Sequence, residues 1–224
     1  MPIRPLLLGH RGARAEKSIL ENSLASFDRA LAHGCDGFEF DVRLSADGVP
    51  VIRHDATLQG VDVAHSPASQ LGLPLLRDVL KRYQTTAFLD IELKVSGLET
   101  ATLGLLRAFP PSRGYVISSF LPEVLQTIHA VDASISLGLI CETRAQFNLW
   151  PSLPTTYVIP HFRLVREAVI AEIKHAKRKV LVWTVNSMND MKRLARWKAD
   201  GIVSDNPERL VRTLNHRFKP KCDS

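Results

Sequence analysis

The sequence predicts an α/β fold, a single-domain (β/α)8 or TIM barrel with a β-hairpin extension after the second strand. Three observations carry this expectation. Short apolar runs alternate with segments of helical period, the pattern of parallel strands joined by helical crossovers. Eight such runs occur, the number that closes a barrel. One extra apolar segment follows the second run too closely to be reached by a crossover. The chain has 224 residues, 45% of them hydrophobic, enough for one well-buried core and few for two. Residues 1–224 therefore read as one domain, with a frayed tail from about residue 217.

The expected barrel strands are Leu6–Gly9, Gly37–Val42, Ala87–Leu93, Tyr115–Ser118, Ser136–Ile140, Tyr157–Ile159, Val180–Val185 and Gly201–Ser204. Between the first two, Asn22 or Ser23 caps a helix whose Leu24, Phe27 and Leu31 share one face, and Gly34 suits its end. At the other end of the chain, Asn206 and Pro207 supply a cap and first turn, with Leu210, Val211 and Leu214 facing inward. The extra segment, Val49–Arg53, is separated from the second strand only by Ser45 to Gly48. A parallel crossover needs about a dozen residues, so this segment must run antiparallel. Taking Asp47-Gly48 as a two-residue turn sets Ala46 against Val49. Counting back along the ladder then puts Asp41 opposite His54. The hairpin is thus expected to bring a histidine to a carboxylate at the end of the second strand.

Composition narrows the function classes. The formal charge of +6 and pI near 9.4 favour anionic ligands through long-range attraction. The basic clusters Lys177-Arg178-Lys179 and Lys219/Lys221 lack interleaved aromatics or a nucleic-acid motif, so they read as solvated faces and no nucleic-acid partner is expected. Cys35, Cys141 and Cys222 are odd in number and far apart, which fits a reduced compartment and no zinc site. No apolar run approaches the roughly 18 to 20 residues of a bilayer span, and the apolar stretch within Met1–Leu8 is too short for a leader. A soluble cytoplasmic protein without stable membrane insertion is expected. The oligomeric state is open.

The chemical residues gather meaning from the barrel. Glu39 and Asp41 are two apart on one strand and share a face, and Glu92 and Lys94 repeat the arrangement on the next barrel strand. His10, Arg11 and Gly12 end the first strand. Active sites of such barrels form at the C-terminal strand ends, where all of these residues fall. Three carboxylates converging there repel unless a positive charge sits between them, and a hard divalent cation, Mg2+ or Ca2+, is the natural occupant. The plainer reading pairs each acid with Lys94 or Arg11. It suffices for an isolated Glu-x-Asp, but a buried cluster of charge at one rim has no cheap structural purpose. His10 alone fits a satisfied core histidine, and His54 alone a turn residue. Together at one rim they fit a general acid and base pair. His33, His65, His129, His161, His175 and His216 lack such a context, although His161 ends the sixth strand at the rim.

Taken in order, Gly9-His10-Arg11-Gly12, Glu21-Asn22-Ser23, Glu39-Phe40-Asp41, His54-Asp55 and Glu92-Leu93-Lys94 resemble the signature of the glycerophosphodiester phosphodiesterase family. The likeness continues with Ser119-Phe120, Trp183-Thr184-Val185-Asn186 and Asp200-Gly201-Ile202-Val203-Ser204-Asp205, covering nearly the whole chain. The resemblance implies metal-dependent hydrolysis of a small-molecule phosphodiester to sn-glycerol 3-phosphate and an alcohol. It implies catalytic roles for His10 and His54, metal binding by Glu39, Asp41 and Glu92, and phosphate binding by Arg11 and Lys94. Trp183 either packs on the glycerol side of the substrate or belongs to the barrel core. Glu21 and Asn22 either orient these groups or cap the following helix. The chain departs from the family in its longer Ala13–Leu20 loop without a proline before Glu21, and in Ser23 for the usual Thr. It departs again in a shortened Ala56–Leu73 segment before the helix expected at Leu75–Leu80. A shorter cover implies a more open mouth, which keeps a lysophospholipase D-type enzyme or lyase on the same barrel as an alternative. A non-catalytic phospholipid-headgroup-binding module is the other, disfavoured because both histidines and all three acids are kept. The attacker is water or the neighbouring glycerol hydroxyl, and either histidine can be the acid.

Overall fold

The structure, a computed structural model, describes residues 4–215. The tail expected from residue 217 and Cys222 lie outside the described residues. In chain order the strands are β1 (Leu6–His10), β2 (Gly37–Leu44), β3 (Pro50–Ile52), β4 (Thr57–Leu58), β5 (Val61–Asp62), β6 (Phe88–Leu93), β7 (Tyr115–Ser119), β8 (Leu137–Cys141), β9 (Tyr157–Pro160), β10 (Lys179–Val182) and β11 (Gly201–Ser204). The helices are α1 (Leu24–Ala32), α2 (Ala68–Leu71), α3 (Leu76–Tyr83), α4 (Glu99–Ala108), α5 (Pro122–Val131), α6 (Arg144–Phe147), α7 (Glu167–His175), α8 (Met188–Arg196) and α9 (Pro207–Asn215). Strands β1, β2, β6, β7, β8, β9, β10 and β11 pair in parallel in that order, and β11 returns to β1 to close the barrel. All eight expected barrel strands are present, with ends shifted by up to three residues. The seventh stops at Val182 and so excludes Trp183.

Side chains alternate between two cores, as the two-residue period of a strand requires. Leu8, Val116, Tyr157, Leu181 and Val203 fill the barrel interior. Phe38, Phe40, Leu89, Ile91 and Leu93 face outward against the helices. Phe27 of α1 stacks on Phe38 with ring centroids 4.2 Å apart. Fully burying such a ring stabilises by roughly 1.5 to 3 kcal/mol. The alternation has a functional result: with Phe38 and Phe40 turned out, Glu39 and Asp41 must turn in.

The loop from β1 to α1 is fixed by conformation as much as by packing. Gly12 has φ +82, and a Cβ there would meet the backbone of Ser26 at about 2.5 Å, so only glycine fits. Ser23, not Asn22, caps α1, accepting from the Ser26 N–H at 3.2 Å. Asn22 sits in the left-handed region with φ 56, a conformation Asn tolerates better than most residues. Its side chain is thereby released toward the barrel mouth.

The hairpin register corrects the expectation. Val42 faces Ile52, Arg43 faces Val51 and Leu44 faces Pro50, so the Arg53 N–H, not that of His54, donates to the Asp41 carbonyl at 3.0 Å. The turn has three residues, because Gly48 takes φ +75 and its N–H closes on the Ser45 carbonyl at 3.0 Å. The Ser45 hydroxyl binds Asp47 at 2.6 Å and accepts the Val49 N–H at 3.1 Å, locking that loop. Such a loop with a left-handed glycine adds one residue to the turn and slips the ladder by one. His54 therefore lies past the ladder, on the strap that leads to β4. Within the shortened Ala56–Leu73 segment, β4 and β5 form a small antiparallel pair that the sequence did not announce. Cys35 and Cys141 are buried free thiols, and burial pushes both up to about 12. No helix of the described residues is long and apolar enough to cross a membrane.

Candidate active site

The adjacent strands β2 and β6 bring Glu39, Asp41 and Glu92 together. One carboxylate oxygen from each lies within 4.8 Å of the other two, and all three residues are buried. Arg11 Nε approaches Asp41 at 3.1 Å, while Lys94 Nζ sits 3.2 Å from Asp41 and 2.7 Å from Glu92. The Arg11 backbone N–H donates to Glu39 at 3.0 Å, and the Asn22 amide donates to Asp41 at 2.8 Å. Asn22 thus orients a carboxylate, where the sequence allowed equally for a helix cap. Glu21 is likewise no cap: it accepts from Arg11 and Arg14, both at 2.7 Å.

Electrostatics divides the cluster. Burial pushes Asp41 up, but Lys94, Arg11 and the Asn22 hydrogen bond together hold it below its ordinary value. Burial, then repulsion from Asp41 and Glu92, raises Glu39 well above its usual range. Glu92 is pushed up to about 8 by burial and by Asp41, against the pull of Lys94. Two cations face three acids, and Glu39 Oε1 is buried without a hydrogen-bond partner among the described residues. An under-neutralised set of oxygen donors with an orphaned buried atom fits a hard divalent cation.

His10, Arg11, Glu39, His54, Glu92, Lys94 and Trp183 all line one cavity of about 270 Å3. Asp41 alone of the expected site residues stands behind that surface, fully buried between Arg11 and Lys94. Both histidines present Nδ1 to a carboxylate, His10 to Asp205 and His54 to Asp55, each at 2.7 Å. A carboxylate accepts only, so each Nδ1 carries the hydrogen and Nε2 is left to exchange a proton. Burial lowers the His10 pKa, opposed by Asp205. Asp205 is held far below the ordinary carboxylate range: burial works against this, but His10, Asn186 and Arg14 outweigh it.

Asp205 stands in the sequence only as the end of a matching motif, and its part in the site was not anticipated. It receives 2.6 Å and 3.2 Å bonds from Asn186 and Arg14 in addition to His10. The available signal was its place one residue beyond β11, the same strand-end position that singled out Arg11. Asp90, two residues before Glu92, was also missed. It lines the cavity, accepts from Ser118 at 2.6 Å and is pushed up to about 7 by burial. Trp183 lies on the cavity wall beyond β10. Its Nε1–H donates to the Ile159 carbonyl at 2.9 Å, and its ring meets Phe120 and His161 edge-on at 5.6 and 5.4 Å.

A family model described as "Glycerophosphoryl diester phosphodiesterase family" matches residues 10–103 and 111–209. Among similar proteins, a glycerophosphodiester phosphodiesterase of Caldanaerobacter subterraneus subsp. tengcongensis is 25% identical over 93% of this chain and 97% of its own. One from Bacillus altitudinis is 27% identical over 92% and 96%. The crystal structure of the Thermotoga maritima glycerophosphodiester phosphodiesterase shares the fold, with a TM-score of 0.82 at 23% identity, covering 94% of this chain and 98% of that one. An Oleispira antarctica phosphodiesterase, solved in complex with the product sn-glycerol-3-phosphate, superposes with a TM-score of 0.83 at 26% identity over 95% and 97%. The family match spans the barrel from His10 on β1 to the start of α9, and on it the chain belongs to the glycerophosphoryl diester phosphodiesterase family.

Proposed function

We propose that this chain hydrolyses glycerophosphodiesters to sn-glycerol 3-phosphate and a free alcohol, with a divalent cation, Mg2+ or Ca2+, held by Glu39, Asp41 and Glu92. The observation that carries the proposal is the gathering of these three acids, two cations and two carboxylate-backed histidines around one cavity. When bound, the cation would supply positive charge to the non-bridging phosphate oxygens. Arg11 and Lys94 add fixed positive charge where the phosphate gathers negative charge in the transition state. His10 and His54 divide the proton work: one Nε2 takes the proton of the attacking hydroxyl and the other returns one to the departing alcohol. Asp205 and Asp55 hold the two rings in the tautomer this requires. Trp183 and Phe120 give the glycerol portion an apolar wall.

The product complex of the Oleispira antarctica relative supports this choice of product, and the buried free thiols support the cytoplasm as the site of action. Residues 1–224 are taken as one catalytic domain. The decisive assay follows choline released from glycerophosphocholine, with sn-glycerol 3-phosphate as co-product, and from lysophosphatidylcholine, with an acylated glycerol phosphate as co-product, each with Mg2+, with Ca2+ and with EDTA. Cation-dependent turnover of the soluble diester is expected. Turnover confined to the lysolipid would favour the lysophospholipase D-type alternative, and full turnover in EDTA would remove the cation from the account.

A further inference from the structure

A second cavity, of about 520 Å3, is lined by Arg43, Ala56, Asp62, Ala64, Val95 and Ser96 among others. Three of its residues follow site residues closely in the chain, and Arg43 bonds the backbone of His54. Arg43 stands two residues beyond Asp41 on the same face of β2, roughly 7 Å along the strand. Ser96 stands two beyond Lys94, and Ala56 two beyond His54.

Arg43 is half-buried, and its Nε donates to the His54 carbonyl at 2.7 Å. That bond uses one of the five donors of the guanidinium. No carboxylate among the described residues forms an ion pair with it; Asp41, Asp55, Glu92 and Asp62 act on it only at longer range. A desolvated guanidinium without a partner is a poor way to hold a strap in place, because the carbonyl contact needs one N–H and no charge. The remaining fork matches a carboxylate in shape and charge. Asp62, exposed, caps the Ala64 N–H at 2.8 Å and meets His65 Nδ1 at 3.3 Å, and it puts a carboxylate in the same groove.

We infer that this groove is a headgroup subsite for an alcohol bearing both a carboxylate and an ammonium, with Arg43 taking the carboxylate and Asp62 attracting the ammonium. The amino-acid ester of the phosphate, with serine as the simplest case, has that chemistry. The inference rests on the phosphodiesterase reading and sets the preferred alcohol for it.

Glycerophosphoserine and glycerophosphoethanolamine differ by the carboxylate alone, so their kcat/KM ratio reads the subsite directly. The wild-type chain should favour the serine diester by about tenfold or more, a single charge-assisted bond being worth roughly 1.5 to 3 kcal/mol. Arg43→Gln should abolish that preference through the KM of the serine diester. Ala64→Asp, which adds a negative charge to the groove without touching the Arg43 bond to His54, should reduce it in the same direction. Equal handling of the two diesters by the wild type overturns the inference. So does a preference that survives both variants, or a loss on both diesters in equal proportion, the mark of a merely structural Arg43. If neither diester turns over, the phosphodiesterase reading has failed. Calorimetric binding of the two diesters then decides the subsite, with the same preference expected and its absence again fatal.

Discussion

Raising the pH of the cation-free chain from about 5 to about 8 should destabilise it, and adding a divalent cation should restore part of the loss. A carboxyl whose pKa is raised by folding holds its proton more tightly in the native state. From the ordinary Glu value near 4.3 up to about 8 for Glu92, and up to about 7 for Asp90, the native chain binds more protons than the unfolded one. Stability therefore falls as pH rises through this window. Each unit of the window is worth about 1.4 kcal/mol. Glu92 thus contributes a loss on the order of 4 kcal/mol between pH 5 and 8, and Asp90 about 3 kcal/mol. A cation at about 100 times its Kd stabilises by roughly 2.7 kcal/mol. For a chain of this length that raises Tm by roughly 5 to 10 °C. The assay is thermal unfolding followed by circular dichroism at both pH values, in EDTA and in Mg2+ or Ca2+. Glu92→Gln should remove its own share of the pH dependence, leaving that of Asp90, and lose the cation shift. A cation response that persists in Glu92→Gln and in Asp41→Asn, or none in the wild type at pH 8, would show that this cluster does not bind the cation.

Replacing either His10 or His54 by Ala should lower turnover of glycerophosphocholine by about 10² to 10⁴, the usual size of a general acid or base contribution. The double variant should be little worse than the poorer single one, and simply multiplying effects would show that the two do not serve one step. A nitrophenyl phosphodiester, whose leaving group needs no proton, should rescue only the variant that lacks the acid. Asp205→Asn should reduce kcat by roughly 10 to 100-fold, the value of a charge-assisted bond, with little change in KM. It should also move the pH profile of kcat/KM to lower pH, because Asp205 raises the His10 pKa against burial. An unchanged profile would make Asp205 a packing residue.

What the sequence disclosed, and what it hid, follows from the range of the interactions involved. The barrel was legible because each strand carries its own apolar run and the inward turn of Glu39 and Asp41 is set by neighbours one residue away. The hairpin was legible in direction but not in register. A two-residue and a three-residue turn both accept Asp47-Gly48, and the deciding contacts are the Ser45 hydroxyl bonds and the φ of Gly48. Asn22 and Ser23 are both good caps in isolation. Only the folded barrel, by offering Asp41 to the Asn22 amide, separates them. Asp205 was hidden most deeply, since its bond to His10 spans 195 residues and closes only when β11 pairs with β1. The strap after His54 was equally opaque, because β4 and β5 have two residues each and no period can be read from two.

On this reading the residues at the barrel mouth direct attack at phosphorus and expel the alcohol. The most direct test is hydrolysis of glycerophosphocholine in 18O-enriched water, with the products read by mass spectrometry. One labelled oxygen is expected in the phosphate of sn-glycerol 3-phosphate, with unlabelled choline, whether the attack is direct or passes through a cyclic phosphate. Label in choline, or release of phosphocholine with glycerol, would contradict it.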